Sequence, residues 1–86
     1  MQARRRESRC KRYVEVLAHF SFQGEVRPFR FRDEEGDAYG IDRILDVRPA
    51  ASLKAGGAGI RYVCRVGEDV VHLYHDGDSW FIEVDG

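Results

Sequence analysis

The sequence predicts an all-β domain: a six-stranded antiparallel meander forming a strongly curled sheet or small, partly open barrel, with at most one helical turn. Three observations predict it. Apolar and polar residues alternate with a period of two from Tyr13 to Val84. The alternating runs are divided by clusters of Gly, Asp and Glu, the residues that make tight turns. Ile41 to Val47 partly matches helical spacing, but the segment is short and its capping signals are poor, so strand is preferred there.

The first strand runs from Tyr13 to Gln23, with Val14, Val16, Ala18, Phe20 and Phe22 on one face. Gln23-Gly24-Glu25 turns the chain, because Gly accepts positive φ. Val26 to Asp33 follows, with Phe29 and Phe31 opposite Arg30 and Arg32. Pro28 cannot donate a ladder hydrogen bond, which predicts an edge strand or a late start. Glu34 to Asp37 is the second turn. Ala38 to Arg48 is the third strand, in which Arg43 falls on the apolar parity and predicts a bulge near Asp42-Arg43. The pattern stops from Ala50 to Gly59, with room for one helical turn at Ala50 to Lys54. Ile60 to Val66, Val70 to His75 and Ser79 to Val84 complete the meander, joined at Gly67-Glu68-Asp69 and Asp76-Gly77-Asp78. The predicted core is Val14, Val16, Phe20, Phe29, Phe31, Tyr39, Ile41, Leu45, Val47, Tyr62, Cys64, Leu73, Trp80 and Ile82.

At 86 residues the chain holds one core. Its net charge of −1 conceals a division. Residues 1–12 carry six basic side chains and one acidic one, and the remaining residues carry eight basic and fourteen acidic. The organisation is therefore a flexible basic arm, 1–12, before a single β domain, 13–86. Such an arm can bind phosphate backbones. The preferred reading is a disordered, solvated terminus, and an over-extended start is a further alternative.

Cys10 and Cys64 make neither a disulfide framework nor a zinc set, which predicts free thiols in a reducing compartment. No apolar run approaches the roughly 20 residues of a membrane helix, and no signal peptide follows the basic start. The expectation is a cytoplasmic location with no membrane partner.

Catalysis finds few candidates. On a strand His72 and His75 point to opposite faces and cannot readily share a metal. The four serines, Ser8, Ser21, Ser52 and Ser79, sit outside any nucleophile elbow, and threonine is absent. Glu34 and Glu35 lie in a wet turn, and Asp76 and Asp78 are turn residues. The reading is a non-enzyme with no metal and no cofactor.

The most informative segment is Ala51 to Gly59. Gly56, Gly57 and Gly59 cost backbone entropy that a short connection does not require. The segment lacks the Gly-Lys-Ser/Thr of a P-loop. It reads as a flexible loop, or as a partner or anion contact in which Lys54, Gly56, Gly57, Gly59 and Arg48 take part. The first functional reading is thus a non-catalytic interaction module that meets a protein partner through this loop. The alternative is a nucleic-acid-associated accessory domain, using Arg4, Arg5 and Arg6 of the arm and a stripe of Arg30, Arg32, Arg61 and Arg65. The acidic body argues against avid binding. Both a monomer and a two-fold oligomer are compatible with the pattern.

The stretches Arg12 to Leu17, Ile41 to Arg48, Ala51 to Gly59, Arg61 to Val66 and Trp80 to Glu83 resemble short bacterial proteins of Firmicutes type, a family without an assigned function. Tyr39 to Asp46, Tyr62 to Val66 and Trp80-Phe81 are more loosely similar to a small domain that accompanies Y-family DNA polymerase-like proteins. That second resemblance implies a nucleic-acid setting.

Overall fold

The computed structural model describes residues 9–51 and 58–85. All regular structure in them is β. The eight strands are β1 (Arg9–Tyr13), β2 (Glu15–Phe20), β3 (Val26–Arg32), β4 (Ala38–Gly40), β5 (Arg43–Ala51), β6 (Ala58–Val66), β7 (Asp69–Asp76) and β8 (Ser79–Asp85). They form two antiparallel sheets, ordered β1-β8-β7-β6-β5 and β2-β3-β4. No helix among the described residues is long and apolar enough to cross a membrane.

Eight strands replace the expected six, because the third expected strand is broken in two and a further strand, β1, precedes the first. Val14 alone separates β1 from β2, and Ile41-Asp42 separate β4 from β5. At these corners the backbone hydrogen bonds change partner. Val14 N donates to Trp80 O at 3.0 Å, Ile41 N to Phe29 O at 2.9 Å and Asp42 N to Arg65 O at 2.8 Å. The chain passes between sheets there, so the single strongly curled sheet or barrel gives way to two unclosed sheets. The basic stretch also enters the fold. Its residues from Arg9 onward form β1, paired with β8 from Arg9↔Asp85 to Tyr13↔Phe81.

Two bulges account for the corrected parities. Between Leu17 and Ala18 the β2–β3 register slips by one residue, leaving Phe29 without a partner. Between Ile44 and Asp46 the β5–β6 register slips likewise, leaving Leu45 unpaired. The expected bulge near Asp42-Arg43 thus lies at Leu45. Each inserted residue is turned away from the core: Phe29 is 51% exposed and Leu45 44%. Phe20, Tyr39 and Val47, also expected inside, are exposed as well. Pro28 does not mark an edge strand, because β3 is the middle of its sheet. It sits where β4 has already ended, beside the bulge, so its missing N–H costs no bond to β4.

Tyr62, Cys64 and Leu73 are buried between the sheets, with Val14, Val16, Ile41, Ile44, Trp80 and Ile82 packed around them. The opposite face of the five-stranded sheet has a second apolar row that the sequence pattern did not place inside. Tyr74 and Phe81 are opposite each other and buried, and their rings stack at 5.2 Å. Tyr13 meets Phe81 edge-on at 5.8 Å, and the Lys11 ammonium lies 4.5 Å from the Phe81 ring centre. Each such buried ring contributes about 1.5–3 kcal/mol.

The turns follow their glycines. Gly67 (φ 63°) and Gly77 (φ 61°) open two-residue loops with positive φ at the first position only, which is the type II′ geometry. The β2–β3 and β3–β4 turns share one design. Ser21 Oγ accepts from Gln23 N (3.2 Å) and Glu25 N (3.0 Å). Asp33 Oδ1 accepts from Glu35 N and Asp37 N, both at 3.0 Å.

Candidate nucleic-acid interface

β5 begins at Arg43 and carries Arg48, and β6 carries Arg61 and Arg65. Four residues apart on an unbroken strand, Arg61 and Arg65 share a face. Arg43 and Arg48 are five apart and would diverge on a regular strand. The unpaired Leu45 between them restores their alignment. The register is Arg43↔Arg65 and Arg48↔Arg61, so all four guanidinium groups leave the same side of the sheet as two directly facing pairs. Like charges directly opposite destabilise a ladder. The fold places two such pairs on one hairpin.

The same device operates in β3. Arg27 and Arg30 are three apart, and the extra Phe29 brings them onto one face with Arg32, opposite His19, Leu17 and Glu15 respectively. Both bulges therefore gather arginines. Eight of the body's fourteen acids lie outside the strands, while Asp46 shares the β5 arginine face and Glu15 stands opposite Arg32. Glu25, the Asp33 to Asp37 group, Glu68 and Asp78 lie in turns or beside them, and Asp42 lies at a corner.

Within the four-arginine face, Arg48 Nε is 2.9 Å from Asp46 Oδ2. Arg43 and Arg65 have no ion-pair partner among the described residues. Arg61 sits opposite Tyr74. Burial, and next the Glu83 carboxylate, raise the Tyr74 hydroxyl above its ordinary pKa, while a hydrogen bond with Arg61 acts against them. Arg61 Nε is buried with no hydrogen-bond acceptor among the described residues.

Lys54, Gly56 and Gly57 lie outside the described residues, as do Arg4, Arg5 and Arg6. Gly59 has a structural reason to be glycine. A Cβ there would come within 2.9 Å of His75 O, so the missing side chain allows β6 to approach β7. Arg48 from one sequence reading and Arg61 and Arg65 from the other meet on one hairpin. Arg30 and Arg32 belong to the other sheet. Arg43 was missed, because a strict two-residue alternation assigns it to the core.

Several of the remaining chemical groups are taken up by the fold. His72 and His75 face opposite sides, and His75 stacks on Trp80 at 3.9 Å. Cys64 is fully buried, and that burial pushes its thiol from 9.0 up to about 11. Asp33, Glu35 and Asp37 bring their carboxylates within 4.8 Å of one another. Desolvation raises the Asp33 pKa, but the Asp37 amide, the Tyr39 hydroxyl and the Glu35 and Gly36 amides together lower it. A serine hydroxyl builds the equivalent turn at Ser21, so the carboxylate at position 33 is a turn acceptor.

No protein-family model matches the chain, no curated protein matches it, and no solved structure matches it.

Proposed function

We propose that the protein is a non-catalytic interaction module that binds nucleic acid through the arginine face of β5 and β6 and the Gly-rich connection between them. One observation carries the reading: Arg43↔Arg65 and Arg48↔Arg61 face each other on one side of one hairpin. A fold that needed only solubility would alternate charge signs across the ladder. Phosphate oxygens relieve the repulsion, and planar guanidinium groups suit them. The pairing ends at Ala51↔Ala58, so Lys54, Gly56 and Gly57 fall in the sequence between the two strands.

Fluorescence anisotropy with a labelled oligothymidylate and a mixed-sequence duplex at low salt tests the reading. A Kd of about 10⁻⁶ to 10⁻⁴ M is expected at physiological salt, tighter at low salt and weakening steeply as salt is added. Polyglutamate supplies charge without bases or phosphate. If it competes as well as the oligonucleotide does, or if neither oligonucleotide binds, the reading is wrong.

A further inference from the structure

The margins of the two sheets are β1, β5, β2 and β4, and they are protected unequally. β1 carries Arg9, Lys11 and Arg12 in its five residues, a charge that repels a second copy of itself. β4 is only three residues long. β5 is interrupted by the unpaired Leu45 and carries Pro49, Arg43 and Arg48. Basic residues, shortness, bulges and proline are the devices that keep a sheet edge from pairing. β2 has none of them. Its one formal charge is Glu15 at the start, and the extra residue of the β2–β3 bulge belongs to β3, so β2 itself stays regular. Leu17 is 55% exposed and Phe20 66%. No described strand pairs with β2 on the side away from β3.

Hydrogen bonds at the two ends of β2 fix which backbone groups point to that open side. Ser21 N donates to Glu25 O at 2.9 Å and Ser21 O accepts from Gly24 N at 3.1 Å, so residue 21 faces β3. Val14 N donates the other way, to Trp80 O at 3.0 Å. Successive strand residues aim their N–H and C=O groups to alternate sides. Glu15, Leu17 and His19 therefore face β3, and Val16, Ala18 and Phe20 face outward.

An antiparallel partner must set outward residues against outward residues, which restricts how β2 can meet itself. Centred on Ala18, the pair sets Val16 against Phe20 of the second copy, Ala18 against Ala18, and Phe20 against Val16. Every outward group of the strand is then used. A pair centred on Leu17 sets Phe20 against Val14, whose N–H already belongs to Trp80. A pair centred on His19 sets Val16 against Phe22, which lies in the turn. The Ala18 register also brings no like charges face to face. Glu15 falls opposite Ser21, Leu17 falls opposite His19, and His19 lies diagonal to Glu15 of the second copy. Val16 covers the exposed ring of Phe20.

We propose that two copies of this chain join through β2 about a two-fold axis at Ala18, fusing their small sheets into one in the order β4-β3-β2-β2-β3-β4. The arginines of β5 and β6 belong to the other sheet, so the pairing stands independently of nucleic-acid binding.

Sedimentation equilibrium of the full chain should show a 9.9 kDa monomer in reversible exchange with a species of twice that mass. Phe20→Lys replaces an exposed ring, and Ala18→Pro removes an N–H that β3 does not use. Each should keep its circular dichroism spectrum and raise the dimer dissociation constant about tenfold or more. In a Cys10→Ser background under mild oxidation, Ala18→Cys should form a disulfide-linked dimer, because facing residues of a bonded pair lie about 5.5 Å apart at Cα. Phe22→Cys is fully exposed but stands roughly 27 Å from its counterpart across the axis, and should not. Monomer alone at every concentration, a mass that grows past the dimer, an undiminished dimer in folded Phe20→Lys, or equal cross-linking at positions 18 and 22 would each overturn the proposal.

Discussion

Arg43 stands directly opposite Arg65, on the same face as Arg48 and Arg61, because Leu45 is inserted between the two β5 arginines. Facing like charges cost a ladder about 0.2–1 kcal/mol. Replacing Arg43 with Ala should leave the core untouched and raise stability by about 0.5 kcal/mol at low salt, a gain that shrinks as salt screens the pair. Urea denaturation at two ionic strengths checks this. A loss of stability would show that Arg43 is a structural residue.

Gly59 and Gly40 make a matched pair. Added at Gly59, a Cβ meets His75 O at 2.9 Å, whereas nothing lies within 4 Å of one added at Gly40. Gly59→Ala should cost about 1–3 kcal/mol through overpacking against β7. Gly40→Ala should be near neutral. Equal denaturation midpoints for the two variants would contradict the close approach of β6 and β7.

The buried Cys64 thiol, held up to about 11 against 9.0 in the unfolded chain, gives stability a pH dependence on the alkaline side. The unfolded chain releases the proton first, so stability is fully present below pH 9.0 and is lost as pH rises toward about 11. Tyr62 and Tyr74, whose pKa values are also raised, act in the same direction. The melting temperature of Cys64→Ala should therefore fall less steeply over this range than that of the wild type. Rapid alkylation of Cys64 in the folded protein at pH 8 would contradict its burial.

Asp33 supplies an acidic-side dependence of opposite origin. Its folded pKa lies below the ordinary 3.8, so its stabilisation is present above 3.8 and is lost as pH falls through the folded value. Asp33→Asn keeps an oxygen acceptor and loses the charge, and should flatten the acid limb of the stability profile. Ser21→Ala, which removes the acceptor from the equivalent turn, should cost about 1 kcal/mol with no such pH dependence.

The β class and the turns were legible in the sequence because alternation and turn chemistry are local. The sheet division was not. Val14, Ile41 and Asp42 fit a continuous strand by pattern, and only the exchange of hydrogen-bond partners at those corners splits it. The bulges defeated parity in the same way. Phe29 looked like a core residue beside Phe31, and Arg43 looked like an intruder in an apolar face. Tyr74 and Phe81 were missed because a sheet with apolar rows on both faces breaks the rule of one wet side. Arg48, Arg61 and Arg65 were legible singly. That they share a surface with Arg43 follows from a slip of one residue, which no local signal fixes.

The most direct test measures oligothymidylate affinity against salt for the wild type and for Arg43→Ala/Arg65→Ala. If both arginines neutralise phosphates, the slope of log affinity against log salt should become shallower by about 1.4 in the double variant. The same slope and affinity in both proteins would contradict the account.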